Sequence, residues 1–231
     1  MSNCKIKAPF FEIGPKSYLY GDDVLELALA ADKASEKYGV DIIFTCPVVE
    51  IRRVAEATKH IHVFAPHMDP LPVGRGTADT LAESLVAGGA EGTQLNHVEK
   101  PLDFDTLAAT IARAKEVGLM TMVCADSMAA ASKITTLKPT VVVAEPSELI
   151  GTGVSVGPEY VAAAFQCVKS VDQDVLVLTA AGIANGEDVY NTIIAGADAT
   201  GSSSGVAKAA DRPAMVEEMI AAVRRAWDAR H

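Results

Sequence analysis

Short apolar runs alternate with longer amphipathic segments along the whole chain. The runs are rich in Val, Ile, Phe and Leu and have the length of buried strands. Between them, apolar residues recur at helical spacing, as Val24, Leu27, Ala28 and Ala31 do on one face of 22–38. The pattern predicts strands at 9–13, 41–45, 61–65, 92–96, 119–124, 140–144, 174–179 and 199–203. It predicts helices at 22–38, 49–58, 77–87, 105–117, 127–136, 158–170, 187–196 and 212–227, with a long loop at 69–76.

This alternation amounts to roughly eight strand–helix units of about 29 residues each, which is typical of a (β/α)8 barrel. No linker, low-complexity stretch or shift in composition divides the chain, so we expect one α/β domain over residues 1–231. The alternative is a doubly wound open sheet, which usually carries GxGxxG after its first strand. Here the first turn is Gly14-Pro15-Lys16, which favours the barrel.

Composition narrows the class of protein. A hydrophobic fraction of 49% and a charged fraction of 22% are those of a soluble globular protein. No apolar run reaches the length of a membrane span, and the N-terminal residues lack the apolar core of a signal peptide. The four cysteines include no CxxC pair, which fits a reducing compartment. We therefore expect a cytoplasmic protein without a membrane partner.

The formal net charge of −10 bears on the ligand. Such a surface repels polyphosphate backbones, so we expect no nucleic-acid partner. A small anionic substrate remains compatible with it, provided that a lysine or helix N-termini supply local positive potential.

Glu145 stands directly after a run of β-branched residues at 140–143 that has the composition of a buried strand. Pro146 stiffens the chain after it, and Gly151 and Gly153 free the backbone further on. A carboxylate on a rigid strand end beside a mobile loop is an arrangement suited to catalysis. The alternative is a solvated glutamate at the start of an ordinary loop.

Other side chains with useful chemistry follow the predicted strands, and in a barrel these positions meet at one rim. Each has an ordinary alternative, such as a surface lysine, a histidine satisfied by a carbonyl or a buried core cysteine. As a group they favour proton abstraction next to a carbonyl, with a carboxylate base and an imidazole donor. The chain has no GxSxG and no Cys/His cluster at metal-ligand spacing, so neither a serine hydrolase nor a bound metal is indicated. The candidates are Lys16, His67, His97, Glu99, Cys124, Glu145, Gly182, Ser204 and Gly205.

The motifs resemble those of the triosephosphate isomerase family, in its short archaeal-type branch. The matching segments run in family order over nearly the whole chain: Phe-Ala-Pro-His-Met-Asp-Pro at 64–70, Gly-Thr-Gln-Leu-Asn-His-Val-Glu at 92–99, Met-Thr-Met-Val-Cys at 120–124, Glu-Pro-Ser-Glu-Leu-Ile-Gly-Thr-Gly at 145–153, Ala-Gly-Ile-Ala-Asn-Gly-Glu-Asp at 181–188 and Ser-Ser-Gly-Val-Ala-Lys at 203–208. The Glu-Pro…Ile-Gly-Thr-Gly segment is the most specific of them.

This resemblance implies a cofactor-free, metal-free isomerase of a small phosphorylated sugar. It implies that Glu145 is the base that moves a proton between C1 and C2 of dihydroxyacetone phosphate. His97 would polarise the carbonyl, and Lys16 would stabilise developing charge. The loop 146–154 would close as a lid, and the long loop at 69–76 would insert into a neighbouring subunit of a dimer or tetramer. The backbone donors to the phosphate would be those of Gly151, Gly182, Ser204 and Gly205.

The chain also departs from the family pattern. Gly14 stands where the family has an asparagine two residues before the lysine, Val98 replaces a serine, and Ala180 replaces a glycine. These changes surround the pocket, so they bear on substrate identity more than on reaction class. Two alternatives stay open: an isomerase of another small phosphorylated ketose, such as a four-carbon one, and a non-catalytic sugar-phosphate-binding protein.

Overall fold

Eight parallel strands close into a barrel in sequence order, which confirms the predicted fold class. The structure is a computed structural model that describes residues 6–149, 152 and 154–231. The strands are β1 (Phe10–Ile13), β2 (Asp41–Thr45), β3 (Ile61–Ala65), β4 (Gly92–Leu95), β5 (Met120–Ala125), β6 (Val141–Ala144), β7 (Leu176–Thr179) and β8 (Ala199–Ser202). Pairing of β1 with β8 closes the cylinder, with Glu12 in register with Gly201.

Helices alternate with the strands and cover the outside of the barrel. They are α1 (Asp22–Tyr38), α2 (Ile51–Ala57), α3 (Ala82–Ala87), α4 (Phe104–Glu116), α5 (Met128–Thr135), α6 (Pro158–Lys169), α7 (Gly186–Ile194), α8 (Ser204–Ala207) and α9 (Arg212–Arg230). Single 3-10 turns occupy Val48–Glu50 and Ser147–Leu149. Within the described residues, no helix is both long and apolar enough to cross a bilayer.

The largest difference from the predicted elements lies after β3. The helix predicted at 77–87 begins only at Ala82, so the connecting loop extends over 66–81. Asp69 holds the two ends of this loop together: its N–H donates to the Thr80 carbonyl, and its carboxylate accepts from the Thr80 N–H at 2.7 Å. A second difference is α8, a single turn after β8 that apolar periodicity does not reveal.

Alternate strand residues point into the barrel or out toward the helices, which produces two apolar clusters. The inner cluster includes Phe10, Ile43, Phe64, Met122 and Leu178, all almost completely buried. The outer cluster joins the other faces of the strands to the helices and is larger. This two-sided burial explains why the strands are nearly continuous apolar runs rather than alternating ones.

Gly92 is the position where the inner cluster leaves no room for a side chain. A Cβ on Gly92 would lie 2.4–2.6 Å from three atoms of the Phe64 ring. Phe64 is fully buried and pairs with Gly92 across β3 and β4. The ring therefore fills the volume that the missing side chain vacates.

We predict that Gly92→Ala lowers the free energy of unfolding by about 1–3 kcal/mol, because an added methyl group overpacks a closed core. Urea unfolding followed by circular dichroism measures this. Gly88→Ala is the matched control, since its Cβ would meet no atom closer than 3.3 Å and its φ of −78° suits alanine. It should change the free energy of unfolding by less than about 1 kcal/mol. Equal effects of the two variants would contradict the packing argument.

Candidate active site

A cavity of about 910 Å³ lies at the carboxyl ends of the strands. Its wall is formed by the strand ends and by the loops that follow them, which is where barrel enzymes carry their chemistry. The described residues to which the family resemblance assigns a catalytic or phosphate-binding role line it: Lys16, His97, Glu145, Gly182, Ser204 and Gly205. Gly151, the remaining predicted phosphate ligand, lies outside the described residues.

Lys16 follows β1 and projects into this cavity with 27% of its side chain exposed. Its backbone has a φ of 47°, which is uncommon for a non-glycine residue and often marks a functional position. The Nζ atom lies 2.8 Å from Oε1 of Glu99. This hydrogen bond lowers the pKa of Glu99, so the pair is ionised and the lysine is held in place by charge.

His97 follows β4 and presents a neutral ring to the cavity. The Glu99 N–H donates to Nδ1 at 3.1 Å, so Nδ1 must be an acceptor and the ring proton lies on Nε2. Burial and the nearby Lys16 ammonium lower the pKa of His97, although Glu99 opposes them. A neutral imidazole of this kind can donate to a carbonyl oxygen without transferring a full charge.

Glu145 follows β6, whose four residues are buried. Its N–H donates to the Ala125 carbonyl at 3.0 Å, which continues the β5–β6 ladder by one residue and fixes the Cα. Burial raises the pKa of Glu145, Glu99 adds to the rise, and Lys16 opposes it. The carboxyl is therefore more basic than an exposed one, as a proton acceptor at neutral pH should be.

The loop after β7 has an unusual backbone. Ala181 and Gly182 have φ values of 97° and 70°. A Cβ on Gly182 would lie 2.0 Å from the Val154 carbonyl oxygen, so the last residue of the predicted lid packs directly against this glycine. Only glycine can satisfy both requirements at this position.

The loops after β7, β8 and β1 are tied together. Ser203 Oγ donates to the Gly14 carbonyl at 2.6 Å, and Ser202 Oγ donates to the Ile183 carbonyl at 2.8 Å. A Cβ on Gly205 would lie 2.6 Å from both the Ile183 carbonyl oxygen and Ser202 Oγ. Ser204 and Gly205 begin α8, where helix geometry leaves N–H groups without intrahelical acceptors. These N–H groups are suited to an anion.

The two other candidates, His67 and Cys124, have partners of their own. His67 lines the cavity wall, but its Nε2 lies 3.0 Å from Oδ1 of Asp69. Burial opposes the ionisation of Asp69, yet the Thr80 N–H and His67 lower its pKa, so this pair braces the long loop. Cys124 is 6% exposed within the inner cluster, and burial raises the pKa of its thiol, so it is an unreactive core residue.

Sequence reasoning missed Glu12 on β1, a carboxyl in the wall of this cavity. Thr45 Oγ1 donates to its Oε1 at 2.6 Å. Burial raises the pKa of Glu12 to about 7; Glu145 adds to the rise, while Thr45 and Lys16 oppose it. A signal was available, because Glu12 interrupts the apolar run Phe-Phe-Glu-Ile of a strand buried on both faces.

Among residues 6–149, 152 and 154–231, no three His, Cys, Asp or Glu side chains converge as metal ligands would. The acidic groups of the cavity are instead arranged around Lys16, which contributes to the electrostatics of Glu12, His97, Glu99 and Glu145. The site therefore offers a base, a neutral donor and the ammonium group of Lys16 in a partly buried space.

Comparison with known proteins agrees with this arrangement. The sequence profile of triosephosphate isomerase matches residues 16–223. The triosephosphate isomerase of Saccharolobus solfataricus is 34% identical over 226 residues, covering 96% of this chain and 99% of the relative. That of Sulfurisphaera tokodaii is 36% identical over 228 residues, with 96% and 99% covered. That of Methanocaldococcus jannaschii is 36% identical over 203 residues, with 87% and 92% covered.

A solved structure supports the fold independently. The crystal structure of triosephosphate isomerase from Bartonella henselae superposes with a TM-score of 0.75 and covers 94% of this chain and 99% of its own. Its sequence identity is only 14%, so this similarity bears on the fold alone. Profile, relatives and barrel geometry agree, and the chain belongs to the triosephosphate isomerase family.

Proposed function

We propose that this protein interconverts dihydroxyacetone phosphate and glyceraldehyde 3-phosphate without a cofactor, with Glu145 as the base. The observation that carries the proposal is the convergence of Glu145, a neutral His97 and Lys16 on one cavity. A protein that only binds sugar phosphates has no need of a rigidly held base. Family membership supports the same reaction.

In the proposed reaction Glu145 removes a proton from C1 of dihydroxyacetone phosphate, and the electron pair moves onto the carbonyl oxygen. His97 Nε2–H donates to that oxygen as negative charge develops. Lys16 stabilises the enediolate electrostatically. His97 then moves a proton between the two oxygens, and Glu145 returns its proton to C2, which gives the aldehyde. Both residues end in the protonation states in which they began.

The phosphate end would lie against the loops after β7 and β8, where Gly182, Ser204 and Gly205 line the cavity. Backbone N–H groups bind a phosphate without adding a mobile charge. The segment 146–154 would act as the lid; Val154, at its end, already contacts Gly182. Closure over the substrate would exclude water and protect the enediolate.

A second candidate is the isomerisation of a four-carbon ketose phosphate. Gly14 favours it, because the absence of a side chain there changes the cavity wall beside the reacting groups. A screen of the purified protein against triose and tetrose phosphates, with kcat/KM for each, distinguishes the two. A higher kcat/KM for the triose supports the first candidate, and a higher value for the tetrose replaces it with the second.

The first prediction tests Glu145 as the base. Glu145→Asp keeps the charge but withdraws the carboxylate by about 1 Å, and a misplacement of that size can cost on the order of 100-fold in rate. Affinity for 2-phosphoglycolate should stay within a few-fold, because the phosphate contacts are untouched. A coupled assay measures turnover, and calorimetry measures inhibitor binding.

Glu148→Asp is the matched control, since Glu148 is exposed in the 3-10 turn that follows Glu145 and should tolerate the same shortening. Equal turnover of Glu145→Asp and the parent would exclude Glu145 as the base. If NMR in heavy water detects no exchange of carbon-bound protons of triose or tetrose phosphates by the parent, the protein is a binder.

The second prediction concerns Lys16. Lys16→Met removes a charge-assisted contact, which typically contributes about 1.5–3 kcal/mol, so affinity for 2-phosphoglycolate should fall by at least about tenfold. Lys33→Met is the control, because Lys33 is exposed on α1 and its replacement changes the net charge equally. Calorimetry at one ionic strength compares them. An unchanged affinity in Lys16→Met would show that the lysine does not contact the ligand.

We also propose that the protein is a dimer or tetramer. Large apolar side chains are exposed on loops after three consecutive strands: Tyr20 at 85%, Val49 at 88% and Val73 at 69%. These loops lie on the same rim of the barrel, and a shared apolar surface of this kind favours association between copies. The loop over 66–81, which contains Val73, is braced by Asp69 and so can serve as a rigid contact.

The third prediction follows from this surface. Light scattering at micromolar concentration should give a mass of two or four chains of 24.2 kDa. Val49→Lys should lower the mass, because it places a charge in the apolar contact. Val171→Lys is the control: Val171 is 41% exposed but follows α6, at the opposite rim. A parent mass of one chain would refute the assembly.

For location, we propose a reducing compartment, the cytoplasm. Cys46, Cys124 and Cys167 are free thiols, and the first two are buried. Burial raises the pKa of Cys46 to about 12, with a smaller contribution from Glu50, so this thiol is inert rather than paired. Free thiols of this kind fit the cytoplasm better than an oxidising compartment.

A further inference from the structure

Glu12 is a titratable strand residue of the cavity wall whose chemistry the mechanism above leaves unused. It lies on β1 directly below the loop that carries Lys16, and its backbone pairs with Gly201 of β8. Its carboxyl group lines the same cavity as Glu145 and His97. A carboxyl group in this position needs either a partner or a function, because burying it is costly.

Only one of its two oxygens has a partner within the described part of the chain. Oε1 accepts from Thr45 Oγ1 at 2.6 Å, whereas no described residue donates to Oε2. Thr45 is 5% exposed, so its hydroxyl fixes the carboxyl orientation from the side of β2. Oε2 is the oxygen left to carry a proton or to meet a ligand.

The carboxyl fills space that a side chain at position 14 would otherwise take. A Cβ on Gly14 would lie 2.8 Å from Glu12 Oε1, and a Cβ on Gly201 would lie 2.9 Å from Oε2. Two glycines therefore flank the carboxyl, one on each side. An asparagine at position 14, which the family pattern has, could not coexist with Glu12 in this conformation.

From this geometry we propose that Glu12 is a substrate-contacting residue: its protonated carboxyl donates a hydrogen bond from Oε2 to an oxygen at the reacting end of the sugar phosphate. A protonated carboxyl has the shape of a carboxamide and offers one donor. It thus takes the place of the amide that the chain lacks at Gly14. The inference rests on the proposed isomerase function and adds a residue to it.

The charges around Glu12 favour the protonated form in the complex. Lys16 faces it from the loop after β1, Glu145 from β6 and Cys124 from β5, while Thr45 of β2 and Gly201 of β8 bring no charge. Burial raises the pKa of Glu12 to about 7, with Glu145 adding to the rise and Thr45 and Lys16 opposing it. A bound phosphate dianion adds negative charge and raises this pKa further.

In this arrangement the two carboxyls have different protonation states at the start of the reaction: Glu145 is ionised and accepts, and Glu12 is protonated and donates. Separation of two carboxyl pKa values by their environments is a known way to assign acid and base roles. The hydrogen bond from Glu12 strengthens as the oxygen gains charge, so it favours the transition state over bound substrate. Glu12 keeps its proton throughout, and no bond to it is made or broken.

The pH dependence of kcat/KM tests the proposal. The active form needs a proton on Glu12, so kcat/KM should fall as pH rises through about 7. Glu12→Gln keeps a donor that does not titrate; it should retain activity within about tenfold and lose this alkaline limb. Glu12→Ala loses the donor and should fall on the order of 100-fold, the effect of removing one oxyanion donor. Thr45→Val removes a hydrogen bond that favours the ionised form, so the limb should move to higher pH.

A double-mutant cycle adds a test that a purely structural role would not pass. Gly14→Asn should impair the parent, because its side chain collides with Glu12. The same change in the Glu12→Ala background has room and supplies an amide, so it should restore at least about tenfold of the lost kcat/KM. An equal loss in both backgrounds would overturn the proposed exchange of donor groups.

NMR of protein labelled at the glutamate carboxyl carbons gives a readout independent of turnover. The resonance that is absent from the spectrum of Glu12→Gln identifies Glu12. In the parent protein, the chemical shift of this resonance should titrate with a midpoint near pH 7. Glycerol 3-phosphate should raise this midpoint more than inorganic phosphate, which brings charge but no carbon chain. Equal midpoints with the two ligands, or an alkaline limb retained in Glu12→Gln, would refute the contact. A parent that isomerises no triose phosphate would instead contradict the proposed function.

Discussion

The ammonium group of Lys16 influences every titratable group proposed to take part in the chemistry of this cavity. Lys16 is ion-paired with Glu99 at 2.8 Å, and its charge acts on Glu12, His97 and Glu145 as well. In a partly buried space, a positive charge close to several carboxyls helps to determine which of them stay ionised. The positive φ of Lys16 is a conformational cost that the packed barrel around it sustains.

The arrangement separates groups that hold protons from groups that accept them. His97 is neutral because burial and Lys16 disfavour its charged form and because the Glu99 N–H occupies Nδ1. Glu145 is more basic than an exposed glutamate because burial disfavours its ionised form. The same low-dielectric surroundings therefore raise the pKa of the carboxyl group and lower the pKa of the imidazole. Both shifts suit proton transfer near neutral pH.

The fold, and several of the residues that line the cavity, could be predicted from the sequence. The spacing of strands and helices predicted the barrel. The positions directly after the strands identified Lys16, His97 and Glu145 as candidates, because the parallel strands of a barrel end at one rim. The helix predicted at 77–87 was wrong in its first turn, because the pairing of Asp69 with Thr80 holds those residues in the loop. Periodicity could not show this, since both bonds join residues that lie eleven positions apart.

The sequence by itself determined the order of the elements, the family and the residues with chemical potential, because these depend on local periodicity and short motifs. The tertiary structure decided which of those residues share a cavity and in which direction the pKa of each is shifted. Glu12 became a cavity residue only when closure of β1 against β2 and β8 brought Thr45 and Gly201 to its side chain. Burial and neighbouring charge set a pKa, and both arise from contacts between residues far apart in the chain.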